Sequence, residues 1–163
     1  MKRPIIVADA GPLIALAKLE QLELLQQIFS AIHVPETVYI EVAHQQARDD
    51  AQLITIFVKN SAELHPVLSG GFVDELSYSL DAGEIQALAL AKSLNCGVLM
   101  DEARGRKVAG YYDISVVGVL GVLLQAKKLG LVESVSPLID ALQKANYRLS
   151  PALVEKVLSL AEE

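Results

Sequence analysis

Two short apolar runs, each closed by an aspartate, constrain the fold of this chain more than any other feature. Ile5–Ala8 is followed by Asp9, and the apolar residues 98–100 are followed by Asp101. Continuous apolar runs of this length are typical of strands buried on both faces, as in a parallel sheet covered by helices. Because helical patterns separate the strand patterns, the sequence predicts an α/β fold with right-handed crossovers.

Turn and capping residues place the other elements. A strand is predicted at 31–34 and another at 114–117, and Pro35 is expected to open the next helix, where its missing N–H costs nothing. Residues 46–75 have the weakest pattern, with a helix at 49–58 and a loop at 69–71. After Gly11-Pro12, helical patterns include residues 85–94, 102–109, 118–129, 136–145 and 151–161.

Composition favours one domain over 1–163, ending in the C-terminal helices of 134–163. The chain has 163 residues, of which 52% are hydrophobic, which is enough for a substantial core. No run reaches the roughly 18 apolar residues that span a bilayer. Cys96 is the only cysteine, so an intrachain disulfide is excluded and a reducing cytoplasm is expected.

Four carboxylates are expected to meet at one edge of the sheet. Asp9 and Asp101 end strands, whereas Glu41 and Glu84 lie on predicted helices near the same edge, and the carboxyl ends of parallel strands are where ligands bind. Carboxylates gathered there repel each other unless a cation lies between them. Oxygen ligands suit Mg²⁺ or Mn²⁺, so the pattern predicts a metal-dependent site that cuts phosphodiesters.

Each acidic residue also has a structural interpretation. Asp9 is placed to cap the helix that follows it. Asp81 and Glu84 have the Asp-x-x-Glu spacing of a capping box, which is the favoured role of Asp81. Glu102 competes with Asp101 for the strand end, and we expect it to start the next helix. Asp81 and Glu102 are therefore candidates for supporting the metal ligands.

The net charge of −6 disfavours nucleic-acid binding without metal, but one basic segment stands out. Arg104, Arg106 and Lys107 follow Asp101 closely and are candidates to bind substrate phosphates, although a solvated helix face is an equal alternative. The three histidines, His33, His44 and His65, have no ligand spacing, which disfavours a zinc site. No P-loop and no Gly-x-Ser-x-Gly motif occurs.

Five segments, in order, resemble the motifs of PIN-domain proteins. The last one is similar to the prokaryotic PIN subgroup known as DUF3368. The resemblance covers nearly the whole chain and is weakest across residues 46–75. The segments are residues 7–17 (VADAGPLIALA), 34–42 (VPETVYIEV), 80–91 (LDAGEIQALALA), 99–109 (LMDEARGRKVA) and 117–130 (VGVLGVLLQAKKLG).

This resemblance implies a three-layer α/β/α sandwich around a central parallel sheet of about four to five strands. It also implies a ribonuclease that uses one or two Mg²⁺ or Mn²⁺ ions to cut single-stranded RNA, and kinship with VapC-type toxins, which a small antitoxin protein holds silent. The family's acidic quartet falls on Asp9, Glu41, Glu84 and Asp101. The apolar C-terminal helices suggest a homodimer.

One departure from the family pattern bears on activity. The family often has Ser or Thr directly after the first aspartate, whereas this chain has Ala10. The absent hydroxyl favours an alternative in which the domain binds nucleic acid or protein and cuts weakly or not at all. A metal-dependent phosphatase acting on small phosphoesters is a further alternative.

Overall fold

The computed structural model describes residues 3–45 and 48–163. A five-stranded sheet forms its centre, with the order β3-β2-β1-β4-β5. All neighbouring strands are parallel, which confirms the predicted fold class. The strands are β1 (Ile5–Ala8), β2 (Ala31–Pro35), β3 (Glu63–His65), β4 (Gly97–Leu99) and β5 (Val116–Val117).

Ten helices in the described part of the chain connect and cover these strands. They are α1 (Ala10–Lys18), α2 (Glu23–Ile28), α3 (Glu36–Gln45), α4 (Arg48–Ser61), α5 (Gly71–Leu76), α6 (Ala82–Leu94), α7 (Ala103–Tyr111), α8 (Val119–Lys128), α9 (Ser136–Lys144) and α10 (Pro151–Leu160). Within the described ranges, no helix combines the length and the apolar character that crossing a membrane requires.

The central strand β1 divides its side chains between two apolar clusters, because successive residues of a strand point to opposite faces. Ile6 and Ala8 pack into the larger cluster, to which α1 to α4 and α8 to α10 contribute. Val7 packs into a smaller cluster with residues of α5, α6 and α7. The sheet is therefore the middle layer of an α/β/α sandwich, as predicted.

The strand order reverses beside β1, and this places the candidate site. The chain runs from β1 outwards through β2 to β3, then returns to form β4 on the other side of β1 and continues to β5. The Asp9 N–H donates to the Leu99 carbonyl oxygen at 3.0 Å, so the ends of β1 and β4 lie side by side. Ligands of open α/β sheets bind in the crevice at such a reversal.

One local prediction was wrong, and one strand was not predicted. Pro35 ends β2, where its Cα is in register with His65 of β3, and α3 begins only at Glu36. The short strand β3 was not predicted, because Glu63-Leu64-His65 has one apolar residue between two polar ones and resembles a loop. The prediction for residues 46–75 begins at two positions, 46 and 47, that lie outside the described residues.

The segment after β3 is held by a side chain of α6. The Leu68 N–H donates to Gln86 Oε1 at 2.8 Å, and Gln86 Nε2 donates to the Leu68 carbonyl oxygen at 3.0 Å. Gln86 is buried, so this pair of bonds satisfies a polar side chain inside the protein. The short helix α5, within the region predicted as irregular, follows this anchor.

Candidate functional site

Asp9 is a buried carboxylate at the centre of the sheet edge. It is 6% exposed and occupies the N-cap position of α1, yet its side chain makes no capping hydrogen bond. The pKa of Asp9 is raised from 3.8 to about 7, first by burial and then by the charges of Glu84, Asp81 and Glu41, whereas the Ala10 N–H lowers it. Asp9 therefore lies in an excess of negative charge, and the capping interpretation does not account for it.

Glu84 and Asp81 form the capping box of α6. The Glu84 N–H donates to Asp81 Oδ1 at 2.9 Å, and the Asp81 N–H donates to Glu84 Oε1 at 3.1 Å. This is the structural role expected for Asp81. Glu84 is also buried, and its pKa is raised by burial and by the charges of Asp81 and Glu102. The capping box thus orients Glu84 beside Asp9 through Glu84 Oε1, and Glu84 Oε2 takes no part in the capping box.

Glu41 approaches the same centre from α3. Its pKa is raised, first by partial burial and then by the charge of Asp81. A Cβ atom on Gly83 would lie only 2.7 Å from Glu41 Oε2, so the absence of a side chain at Gly83 leaves room for this carboxylate. The helices α3 and α6 therefore present their acidic residues to one another at close range.

Asp101 follows β4 and is held by two hydrogen-bond donors. The Val119 N–H at the start of α8 donates to Asp101 Oδ1 at 3.1 Å, and the Tyr147 hydroxyl donates to Oδ2 at 2.6 Å. Burial raises the pKa of Asp101, whereas Tyr147, the Val119 N–H and the charge of Arg106 lower it. Since each carboxylate oxygen can accept more than one partner, Asp101 retains capacity for a cation.

Tyr147 is the site residue that the sequence analysis missed. It lies between α9 and α10, and its hydroxyl would be 3.4 Å from a Cβ atom on Gly11 in the first turn of α1. Burial raises the pKa of Tyr147, as do the negative charges of Asp101 and Asp9. No local pattern marks Tyr147, because only the folded chain brings this segment to the ends of β1 and β4.

The candidate phosphate-binding residues differ in their surroundings. Arg106 is half-buried, and its charge acts on Asp101. Arg104 is exposed and donates through Nη1 to the Ser79 carbonyl oxygen at 3.2 Å. Lys107 and Glu102 are also exposed, and the charge of Glu102 raises the pKa of Asp101 and Glu84. Arg106 is thus the cation of this group that faces the carboxylates.

Two open clefts meet at Asp81. One, of about 670 Å³, is lined by Glu84, Glu102 and Arg104 among others. The second, of about 440 Å³, is lined by Glu41 and Gly83. Asp81 lines both clefts, with Glu84 in the first and Glu41 in the second, whereas Asp9 and Asp101 line neither of the two.

The acidic residues suit a hydrated hard cation. Their donor atoms are all carboxylate oxygens, and the pKa of Asp9 is raised first by burial and then by the charges of acidic neighbours, which a divalent cation would neutralise. Among the described residues, these carboxylates include no three with oxygens within 4.8 Å of one another. Mg²⁺ keeps several water ligands and binds through few carboxylates, which fits this spacing.

Two of the three histidines come together in the fold, although their spacing in the sequence indicated no cluster. His33 and His65 lie together with Glu63, and their ligand atoms are within 4.8 Å of one another, which no other group of three in the described chain achieves. Their separation in sequence hid this contact, since it depends on the pairing of β2 with β3. His44 is exposed on α3 and is not part of the group.

Comparison with known proteins gives one family. The family model DUF3368, a PIN domain, matches residues 5–163, and no curated protein matches the chain. PIN domains are generally nucleases that act on nucleic acids and typically bind divalent metals. Since the match covers all five strands and the four candidate carboxylates, the chain belongs to the DUF3368 family of PIN domains.

Proposed function

We propose that the protein is a metal-dependent endoribonuclease that hydrolyses phosphodiester bonds of single-stranded RNA. Asp9, Glu41, Glu84 and Asp101 would hold one or two Mg²⁺ or Mn²⁺ ions. The observation that carries the proposal is the buried Asp9 carboxylate, whose pKa of about 7 reflects burial among acidic neighbours. A divalent cation would remove this repulsion, and PIN-domain membership supports nuclease chemistry.

The proposed roles follow from how each side chain is held. The metal would supply positive charge that polarises the phosphodiester and favours deprotonation of the attacking water. Asp9 would be the central ligand, because it ends the middle strand of the sheet. Glu84 and Asp101 would keep their orientation through the α6 cap and the Val119 and Tyr147 hydrogen bonds. Glu41 would bind metal or orient the water.

The substrate would lie across the open clefts. Arg106, Arg104 and Lys107 would bind its phosphates, since guanidinium and ammonium groups are the usual partners of the nucleic-acid backbone. Water, and not a ribose 2′-hydroxyl, would attack the phosphorus, so the products would carry 5′-phosphate and 3′-hydroxyl ends. The two-sided access at Asp81 supports a polymer substrate, which must enter and leave the site as a continuous strand.

The wider biological proposal is a cytoplasmic toxin that a small antitoxin protein inhibits. Apolar side chains on the C-terminal half of the chain support association with an antitoxin or with a second copy of the chain. Leu129 and Leu160, at the ends of α8 and α10, are about half exposed. We also propose that two copies of the chain form a homodimer through this surface.

A binding module is the second candidate, and Ala10 is the observation that favours it. The family often has a hydroxyl at this position, and Ala10 is buried and offers none. In this alternative the carboxylates would hold metal, and the domain would bind nucleic acid or protein without cleavage. The Tyr147 hydroxyl lies near Gly11 and Asp101 and supports the nuclease, because it provides a hydroxyl in the same neighbourhood.

The test is cleavage of end-labelled single-stranded RNA in Mg²⁺ or Mn²⁺. The wild type and Asp9→Asn are compared, because the substitution keeps the shape of the side chain and removes its charge. Asp140→Asn is the matched control, since Asp140 is exposed on α9, away from the sheet edge. We expect cleavage by the wild type and the control, and loss of cleavage in Asp9→Asn and in chelator.

The same assay separates the alternatives. RNA binding by folded, metal-loaded wild type without cleavage of several RNAs would overturn the nuclease proposal in favour of the binding module. Hydrolysis of a small chromogenic phosphomonoester in place of RNA would favour a phosphatase. End-group analysis of the fragments checks the 5′-phosphate, and a 2′,3′-cyclic phosphate would contradict attack by water.

A further inference from the structure

Three side chains of types that bind metals lie on one face of the sheet, on β2 and on the outermost strand β3, outside the acidic site. His33 of β2 is in register with Glu63 of β3, and His65 follows Glu63 by two residues. Because alternate residues of a strand share a face, Glu63 and His65 lie on the same side as each other. His33 Nδ1 is 2.8 Å from His65 Nε2, and the two nitrogens are 3.5 and 3.8 Å from Glu63 oxygens.

The two imidazole rings face each other through His33 Nδ1 and His65 Nε2. A separation of 2.8 Å is that of a hydrogen bond, in which one nitrogen carries the proton and the other offers its lone pair. Burial, followed by the charge of His65, lowers the pKa of His33, against the attraction of Glu63. The neutral ring that results is the form of histidine that binds metals.

We propose that His33 Nδ1, His65 Nε2 and the Glu63 carboxylate bind a divalent transition-metal ion of the zinc type, at a site separate from the acidic quartet. Two imidazole nitrogens and one carboxylate oxygen are typical ligands of Zn²⁺ and Co²⁺, whereas Mg²⁺ prefers oxygen alone. The ion would replace the proton that the two rings share.

The distances require only a small adjustment. Zinc–nitrogen bonds of about 2.0–2.1 Å in a tetrahedral site place ligand atoms about 3.3 Å apart. The rings would therefore separate by about half an ångström. Glu63 Oε2 is already 3.5 Å from His33 Nδ1, and Glu63 Oε1 is 3.8 Å from His65 Nε2. The Glu63 side chain is 68% exposed, so the ion can enter from solvent and keep a water as fourth ligand.

A bound ion would stabilise the pairing of the outermost strand β3 with β2. β3 has three residues and pairs with β2 alone. All three proposed ligands belong to these two strands, so a bound ion would cross-link them. We expect zinc to raise the melting temperature and to slow amide exchange in β3, which local opening otherwise exposes.

The test uses Co²⁺, whose visible absorption reports nitrogen coordination, followed by displacement with Zn²⁺. The full-length wild type, His65→Ala and Glu63→Gln are compared, with His44→Ala as the control because His44 is exposed on α3 and outside the group. We expect the cobalt absorption in the wild type and His44→Ala, its loss in His65→Ala and a weaker signal in Glu63→Gln.

Two further measurements keep the outcome decisive. Asp9→Asn should retain the cobalt spectrum, because the acidic quartet is a different site, and loss of the spectrum in Asp9→Asn would overturn the proposal. The melting temperature without metal shows whether His65→Ala is folded. Equal cobalt or zinc binding by folded His65→Ala and wild type, or no binding by the wild type at micromolar metal, would also overturn it. None of these results depends on ribonuclease activity.

Discussion

At the scale of single residues, Tyr147 shows how a hydroxyl from a distant segment orients a carboxylate. It donates to Asp101 Oδ2 at 2.6 Å across 46 positions of sequence. This hydrogen bond and the Val119 N–H together restrict the rotation of the Asp101 side chain. Tyr147 is therefore a positioning residue for the proposed site.

Replacing Tyr147 with phenylalanine should reduce RNA cleavage by roughly one to two orders of magnitude, since a hydrogen bond to a charged group contributes about 1.5–3 kcal/mol. The Tyr147 bond lowers the pKa of Asp101, so its loss should move the acidic limb of the pH–rate profile to higher pH. Tyr111→Phe, at an exposed position, is the control. An unchanged pH profile with normal folding would exclude the positioning role.

Asp9 gives a prediction on stability without metal. Its pKa is about 7 in the folded protein against an ordinary 3.8, so the folded state holds the proton more tightly than the unfolded state. Stability should therefore fall as pH rises from about 4 to about 7 and change little above this range. The difference between the two pKa values corresponds to about 4 kcal/mol as an upper bound.

Urea unfolding in chelator between pH 4 and 8 measures this effect. Asp9→Asn cannot ionise, so at pH 8 it should be more stable than the wild type, with a smaller dependence on pH. Adding Mg²⁺ at pH 8 should stabilise the wild type more than the variant. If Asp9→Asn is less stable than the wild type at pH 8 in chelator, burial and the acidic neighbours do not disfavour the charged form of Asp9 as inferred.

At the scale of elements, the contact between α6 and the segment after β3 shows how one side chain can replace a strand partner. Gln86 both donates to and accepts from the Leu68 backbone, as a neighbouring strand would. The same helix presents Glu84 at its N-terminus. Anchoring this segment therefore also fixes α5 against α6.

Gln86→Met should lower the free energy of unfolding by about 1–2 kcal/mol, because it keeps the size of the side chain and leaves both Leu68 backbone groups without their partner. Hydrogen exchange at the Leu68 amide should become faster. Gln143→Met on the exposed face of α9 is the control and should have a negligible effect. Equal urea midpoints for the two variants would show that the Gln86 bonds do not stabilise the fold.

At the scale of the whole molecule, Glu163 links the end of α10 to α8 and to the start of α9. Its carboxylate accepts from Ser134 Oγ, from the N–H groups of Val135 and Ser136, and from Lys127 Nζ. The Ser134 hydroxyl is the largest of the contributions that lower the pKa of Glu163 from 4.5 to about 2. These bonds need the charged carboxylate.

Glu163→Gln should therefore lower the melting temperature at neutral pH. The stabilisation in the wild type is complete above pH 4.5 and is lost as pH falls towards 2, so the two proteins should converge in acid. Glu162→Gln serves as the control, because Glu162 is exposed. A constant difference between Glu163→Gln and the wild type from pH 7 to 2 would contradict the charge dependence.

Patterns within short segments were enough to predict the strands β1 and β2, the capping box at Asp81 and the parallel α/β class. Buried strands, helix caps and helical spacing depend on neighbours a few residues away, so a single sequence contains them. The expectation that Asp9 and Glu84 approach one another also followed, because each lies at an element end whose direction the fold class sets. Glu41 lies within α3, so its approach depends on how α3 packs against α6.

Only the tertiary structure decided the contacts that depend on strand order and on helix docking. Nothing near Glu63 marks it as a strand, and pairing with β2 is what brings His65 to His33. Tyr147 reaches Asp101 only because the C-terminal segment packs beside the ends of β1 and β4. Such contacts arise from the packing of whole layers, and side chains 32 and 46 positions apart in sequence show no common local pattern.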